Sequence, residues 1–158
     1  MRGLRRFVAA VVALAAVAAA AFAADGPGSG TSPTAAMTPA RVALAFEWAI
    51  DVERTQHGLP PLQVDFVESV SALDWSSLMA MTGTLAEDPS TRASIAAYDP
   101  AWQAFGENVG VGPSAESIEA ALMASPPHRA NILGNFTHMG VGAVIANGTV
   151  WLTERFYR

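Results

Sequence analysis

The sequence predicts an α+β layered domain in which helices come first and an antiparallel hairpin comes last. Three observations predict it. Two stretches, Thr38 to Gly58 and Asp65 to Ala80, repeat apolar residues at helical spacing behind recognisable caps. Later, Met139, Val141, Ala143 and Ile145 alternate with small residues as a half-buried strand does. Asn147-Gly148 then supplies a two-residue hairpin turn, and Val150, Trp151, Leu152, Phe156 and Tyr157 form the return strand.

The chain opens on Arg2, Arg5 and Arg6, followed by an unbroken apolar run from Phe7 to Ala24 and the small-x-small triplet Ala21-Phe22-Ala23. This reads as a secretory signal over residues 1–23. An uncleaved anchor is the alternative, because about 18 apolar residues approach the length of a bilayer span; the alanine content favours cleavage, leaving no stable membrane span. Residues 24–37 are rich in Gly, Ser and Pro, a composition suited to a flexible linker. The folded domain is expected over residues 38–158, long enough for one hydrophobic core.

Thr38 and Pro39 form an N-cap and N1 pair for the first helix, and Gly58 offers the left-handed residue that ends it. Val42, Ala45, Phe46, Ala49 and Ile50 mark its apolar face. After the non-helical LPPL turn, Asp65 with Glu68 starts a second helix. Its expected buried face is Phe66, Val70, Leu73, Ser77 and Ala80. Thr82 to Phe105 reads mostly as loop. Ser114 caps a third helix carrying Ile118, Ala121 and Leu122, stopped by Pro126 and Pro127, with a short helical turn from His128 to Leu133. Gly140 and Gly142 leave one face of the following strand open to close approach by another layer.

Composition narrows the function. All nine basic residues are Arg. Three precede residue 24, whereas all fourteen acidic residues follow it, so six Arg against fourteen acids leave the mature chain at −8. That balance argues against nucleic acid or anionic lipid as the main partner. The chain has no cysteine, which excludes disulfides, thiolate metal sites and thiol nucleophiles. GxSxG, HExxH, phosphate-loop and EF-hand patterns are absent.

The last third carries GENVGVG (Gly106 to Gly112), SPPHRANIL (Ser125 to Leu133), THMGVGAVI (Thr137 to Ile145) and WLTERF (Trp151 to Phe156). In this order and spacing they resemble the bacterial, SCP-like branch of the CAP superfamily (cysteine-rich secretory protein, antigen 5, pathogenesis-related 1), from about Phe46 onward. The resemblance implies a three-layer α/β/α sandwich, a secreted protein and a central cleft. In that family two His and two acidic residues commonly line the cleft and in some members bind a divalent metal. Carried over, one acid falls on Glu107 and one His on His128. The other His falls on Glu87, within Leu85-Ala86-Glu87-Asp88-Pro89, and the second acid on Ser125.

These departures change the expected chemistry. One imidazole with carboxylates favours calcium or magnesium over zinc, so Glu87, Glu107 and His128 are the candidate metal ligands for a weak site. Glu107 and His128 are the candidate catalytic pair, and Glu87, Asn108 and Arg129 the candidate ligand contacts. A structural role stands beside each: Glu107 holding its loop, Asn108 serving backbone hydrogen bonds, His128 with Arg129 and Asn131 tying the short helix to the sheet. The leading reading is an extracellular binding module for a lipid, a cell-wall fragment or a protein; the alternatives are a metal-assisted or carboxylate-based hydrolase and a structural surface domain.

Overall fold

The computed structural model describes residues 38–158. The expected leader and linker lie outside the described residues. Nine elements follow in order: α1 (Pro39–Gln56), β1 (Gln63–Val64), α2 (Phe66–Thr82), α3 (Thr91–Tyr98), β2 (Phe105–Gly112), α4 (Ala115–Ala124), α5 (Pro126–Ile132), β3 (His138–Ala146) and β4 (Thr149–Tyr157). The four strands form one sheet in the order β1-β3-β4-β2. Only β1 runs parallel to its neighbour.

Helices cover both sheet faces. On one side Val42, Phe46 and Ile50 of α1 and Ile118 and Leu122 of α4 join Ile132 of α5. They pack on Met139, Val141, Ala143, Leu152 and Phe156, and this cluster is the hydrophobic core. On the other side α2 lies against β3 and β4. The result is the α/β/α sandwich, with the C-terminal hairpin β3-β4 at its centre.

Local chemistry places the helices as the caps require. Thr38 Oγ1 accepts from Arg41 N, and Gly58 follows the α1 C-cap at φ +73°. Asp65 Oδ1 accepts from Val67 N and Glu68 N at the start of α2, while its other oxygen accepts from the Tyr157 hydroxyl. Ser114 and Ser117 form a reciprocal capping box on α4. Asn147 (φ +52°) and Gly148 (φ +74°) adopt the left-handed backbone of the hairpin turn.

Two expectations need correction. The stretch taken as loop contains α3, whose Ile95 is wholly buried. One large aliphatic in eight residues leaves no apolar stripe to read. The buried face of α2 also differs: Glu68, Ala72, Ser76 and Met79 point inward, whereas Phe66 is 79% exposed and Val70 and Leu73 are exposed too. Glycine explains it. A Cβ on Gly140 would sit 2.6 Å from the Glu68 carbonyl carbon, and one on Gly142 would meet the backbone of Ala72 and Leu73. The helix therefore rests its backbone on the strand, and only a face of small and hydrogen-bonding residues fits there. Ser76 Oγ donates to Gly142 O at 2.9 Å and shares a hydrogen bond with Thr153 Oγ1.

Candidate functional site

The register of β2 against β4 sets two neighbouring residues on opposite sides of the sheet. Glu107 pairs with Arg155, and Asn108 with Glu154. Paired residues of an antiparallel ladder share a face, so Glu107 and Arg155 look toward α2 and α3, while Asn108 and Glu154 look toward α4 and α5.

Arg155 is completely buried and organises the first of these faces. Its Nε donates to Glu107 Oε2 at 2.9 Å, one terminal nitrogen to Asp88 Oδ2 at 2.6 Å, and the other to Ser71 Oγ at 2.6 Å and Glu68 Oε2 at 3.4 Å. Three carboxylates thus surround one guanidinium. The planar fork of arginine is suited to this, and the guanidinium keeps its charge when buried. Glu107 also accepts from Asp88 N (2.7 Å) and Thr91 Oγ1 (2.9 Å). Burial pushes the Glu107 carboxyl above its ordinary value, while Arg155 and the other two donors pull it down. Only the ionised form uses all three contacts.

Beside this network lies a cleft of about 390 Å³, lined by Glu87, Asp88, Pro89, Arg92, Phe105, Gly106, Glu107 and Asn131. Glu107 forms part of its floor and is 4% exposed. Arg92 places its guanidinium over the Phe105 ring, 5.9 Å from the centroid. Glu87 is exposed and within the field of Arg92; partial burial raises its carboxyl and Arg92 opposes the shift. Among the described residues neither Glu87 nor Arg92 is committed to an ion pair.

The opposite face carries an amide and carboxyl network. Asn131 Nδ2 donates to Glu107 O (3.0 Å) and Asn108 Oδ1 (2.8 Å). Asn108 Nδ2 in turn donates to Glu154 Oε2 (3.0 Å) and His128 O (3.3 Å). Glu154 faces Glu119 of α4, both buried. Both Glu119 oxygens and Glu154 Oε1 lack a donor among the described residues, and a single proton shared by the two carboxyls is enough to join one oxygen of each. Burial is the main cause that raises both: Glu119 to about 7, and Glu154, also repelled by Glu119, well above its ordinary value.

The structure brings Glu87 and Glu107 to one cleft. His128, Asn108 and Arg129 do not line it. His128 is 1% exposed, with Nδ1 hydrogen-bonded to Ser125 Oγ at 2.7 Å. Asn108 is wholly buried in the network just described, and Arg129 donates to His57 Nε2 at 3.0 Å. Among the described residues no group of three or more His, Asp or Glu side chains could hold a metal ion. Sequence reading missed Arg155, Glu119 and Glu154, and read Glu68 as the capping partner of Asp65, whereas its carboxylate meets Arg155. The WLTERF strand offered a signal for two of them: consecutive charged residues within an otherwise apolar central strand require buried partners.

A three-layer sandwich with this edge cleft defines the class, and the sequence defines the family. Residues 49–154 match the CAP, cysteine-rich secretory protein, family, and the chain belongs to it. It is 36% identical over 112 residues to the uncharacterised protein YkwD of Bacillus subtilis, a match covering 67% of this chain and 43% of that protein. The chain therefore spans less than half of that relative. An outer surface protein of Borrelia burgdorferi shares the fold at TM-score 0.64 and 16% identity, over 73% of this chain and 90% of that one. A cysteine-rich secretory protein of Staphylococcus aureus does so at TM-score 0.62 and 16% identity, over 79% and 40%. An SCP-domain extracellular protein of Bacillus anthracis gives 0.57 and 21%, over 79% and 45%.

Proposed function

We propose that this domain works outside the cytoplasm as a binding module whose cleft receives a polar ligand of the cell wall or a protein partner. One observation carries the reading. Arg155, Thr91 and the Asp88 amide take three of the about four lone pairs of the Glu107 carboxylate, so the acid at the cleft floor serves the architecture, while Glu87 and Arg92 stand uncommitted in the same cleft. A general base or nucleophile needs a lone pair aimed at the substrate; here it is aimed at the protein's own donors. The charged lining also favours a polar ligand over an acyl chain.

Export is supported by the basic and apolar leader and by relatives whose names place them at the outer surface or outside the cell. No helix among the described residues is long and apolar enough to cross a membrane. N-terminal sequencing of exported protein should give a start near Ala24; an intact Met1 in the membrane fraction would support the anchor instead.

The function is tested by calorimetric titration of soluble, enzymatically released wall fragments into the protein. Binding is expected for wild type and reduced in Arg92→Gln, without release of new amines or reducing ends from the fragments. Steady release of such ends, abolished in Glu107→Gln, would establish the hydrolase reading instead.

A further inference from the structure

The cleft carries two opposite charges that are left without ion-pair partners of their own, and their surroundings fix what each can accept. Arg92, on the first turn of α3, carries its guanidinium over the Phe105 ring at 5.9 Å, and its N–H groups make no ion pair among the described residues. Glu87, in the loop before α3, accepts no hydrogen bond among the described residues and lies in the field of Arg92. The adjoining Asp88 differs: its carboxylate is spent on Arg155, Ser90 N and Ser90 Oγ. A third polar group lines the same cleft. Asn131 uses its amide nitrogen on Glu107 O and Asn108 Oδ1, and its carbonyl oxygen stands over Gly106, where a Cβ would come within 2.6 Å of it. Glycine at 106 keeps that acceptor uncovered beside the cleft.

One cation on a ring, one carboxylate and one amide acceptor complement a dipolar ligand that has an N–H between its charges. A neutral sugar or an acyl chain would leave both charges unused. The volume, about 390 Å³, falls in the range of small-ligand sites and excludes a folded protein segment from the interior. We infer that the cleft binds a short peptide bearing a free carboxylate and an ammonium group, the carboxylate on Arg92, the ammonium on Glu87, and a backbone N–H on Asn131. This deepens the binding-module reading and rests on it.

Titration of tri-alanine, its N-acetyl form and its C-terminal amide into the wild-type protein tests the inference, with Glu87→Gln and Arg92→Gln run beside it. Both side chains lie outside the Arg155 network, so the variants should keep wild-type melting temperatures. Wild type should prefer tri-alanine over each blocked form by tenfold or more, and added salt should narrow the preference. Acetylation should cease to matter in Glu87→Gln, and amidation in Arg92→Gln. Equal binding of free and blocked peptides, or a charge preference that survives both substitutions, overturns the assignment even if wall fragments still bind through the cleft. Failure of tri-alanine and of wall fragments alike to bind overturns both this inference and the binding-module reading.

Discussion

The Glu119 and Glu154 pair makes the domain's stability depend on pH in a direction that can be calculated. Glu119 titrates near 7 in the folded protein against an ordinary value of 4.5, with burial the largest cause, and Glu53 on α1 adds like charge. Because the folded value is raised, the folded state holds the proton more tightly than the unfolded chain does. The associated stability is complete below about pH 4.5 and is lost as the pH rises through about 7. About 2.5 units at about 1.4 kcal/mol per unit give roughly 3 kcal/mol of stability missing at pH 7.5. Glu119→Gln removes the titrating group and offers an amide N–H to the unsatisfied Glu154 Oε1. Urea melts of wild type and variant from pH 4 to pH 8 measure the effect. The variant should match wild type within about 0.5 kcal/mol at pH 4 and gain roughly 3 kcal/mol at pH 7.5. A gain that does not vary with pH, or a loss at pH 7.5, would refute the shared-proton account.

Other substitutions test the remaining architecture. Arg155→Met strands Glu68, Asp88 and Glu107 as buried acids and should cost 3–5 kcal/mol or more in denaturant melts; Arg155→Lys, lacking the fork, should not restore it. Gly142→Ala drives a methyl into the α2 backbone and should destabilise by about 1–3 kcal/mol, whereas Gly148→Ala, with open space around it, should cost only its backbone strain of about 1 kcal/mol. Phe46→Ala, in the core, should cost about 3–5 kcal/mol, while Phe66→Ser on the outer face of α2 should change stability by no more than about 0.5 kcal/mol.

Much of the fold is readable wherever local chemistry decides it. Thr38 with Pro39, Asp65, Ser114 and Asn147-Gly148 each state a boundary through a hydrogen bond or a backbone angle that the residue itself supplies. Gly140 and Gly142 mark a strand face that another layer approaches closely, while the α/β/α layering is what the family resemblance implies. The inward face of α2 is not local, because it depends on which partner the helix meets. Counting apolar residues selected Phe66 and Val70, but glycines and a buried guanidinium on the facing strands required Glu68, Ala72 and Ser76. The site was half legible for the same reason. The family pattern locates Glu87 and Glu107, which the structure gathers at one cleft, but no pattern states that Arg155 occupies Glu107 or that Glu119 meets Glu154. Those pairings arise from strand register and helix docking across 48 residues in the first case and between α4 and β4 in the second.

The Arg155 network also ties the cleft to distant parts of the chain. The loop that shapes the cleft is fastened to Asp88, yet the guanidinium that fastens it comes 67 residues later, and the same arginine reaches back 87 residues to Glu68. Contacts of such sequence separation carry a loop-closure cost that local contacts do not. A nascent chain emerging as far as α5 would have its helices specified but its cleft loop untethered and three acids unneutralised. The cleft loop is tethered only when β4 lies at the centre of the sheet, so the shape of the cleft depends on a strand far from it in sequence.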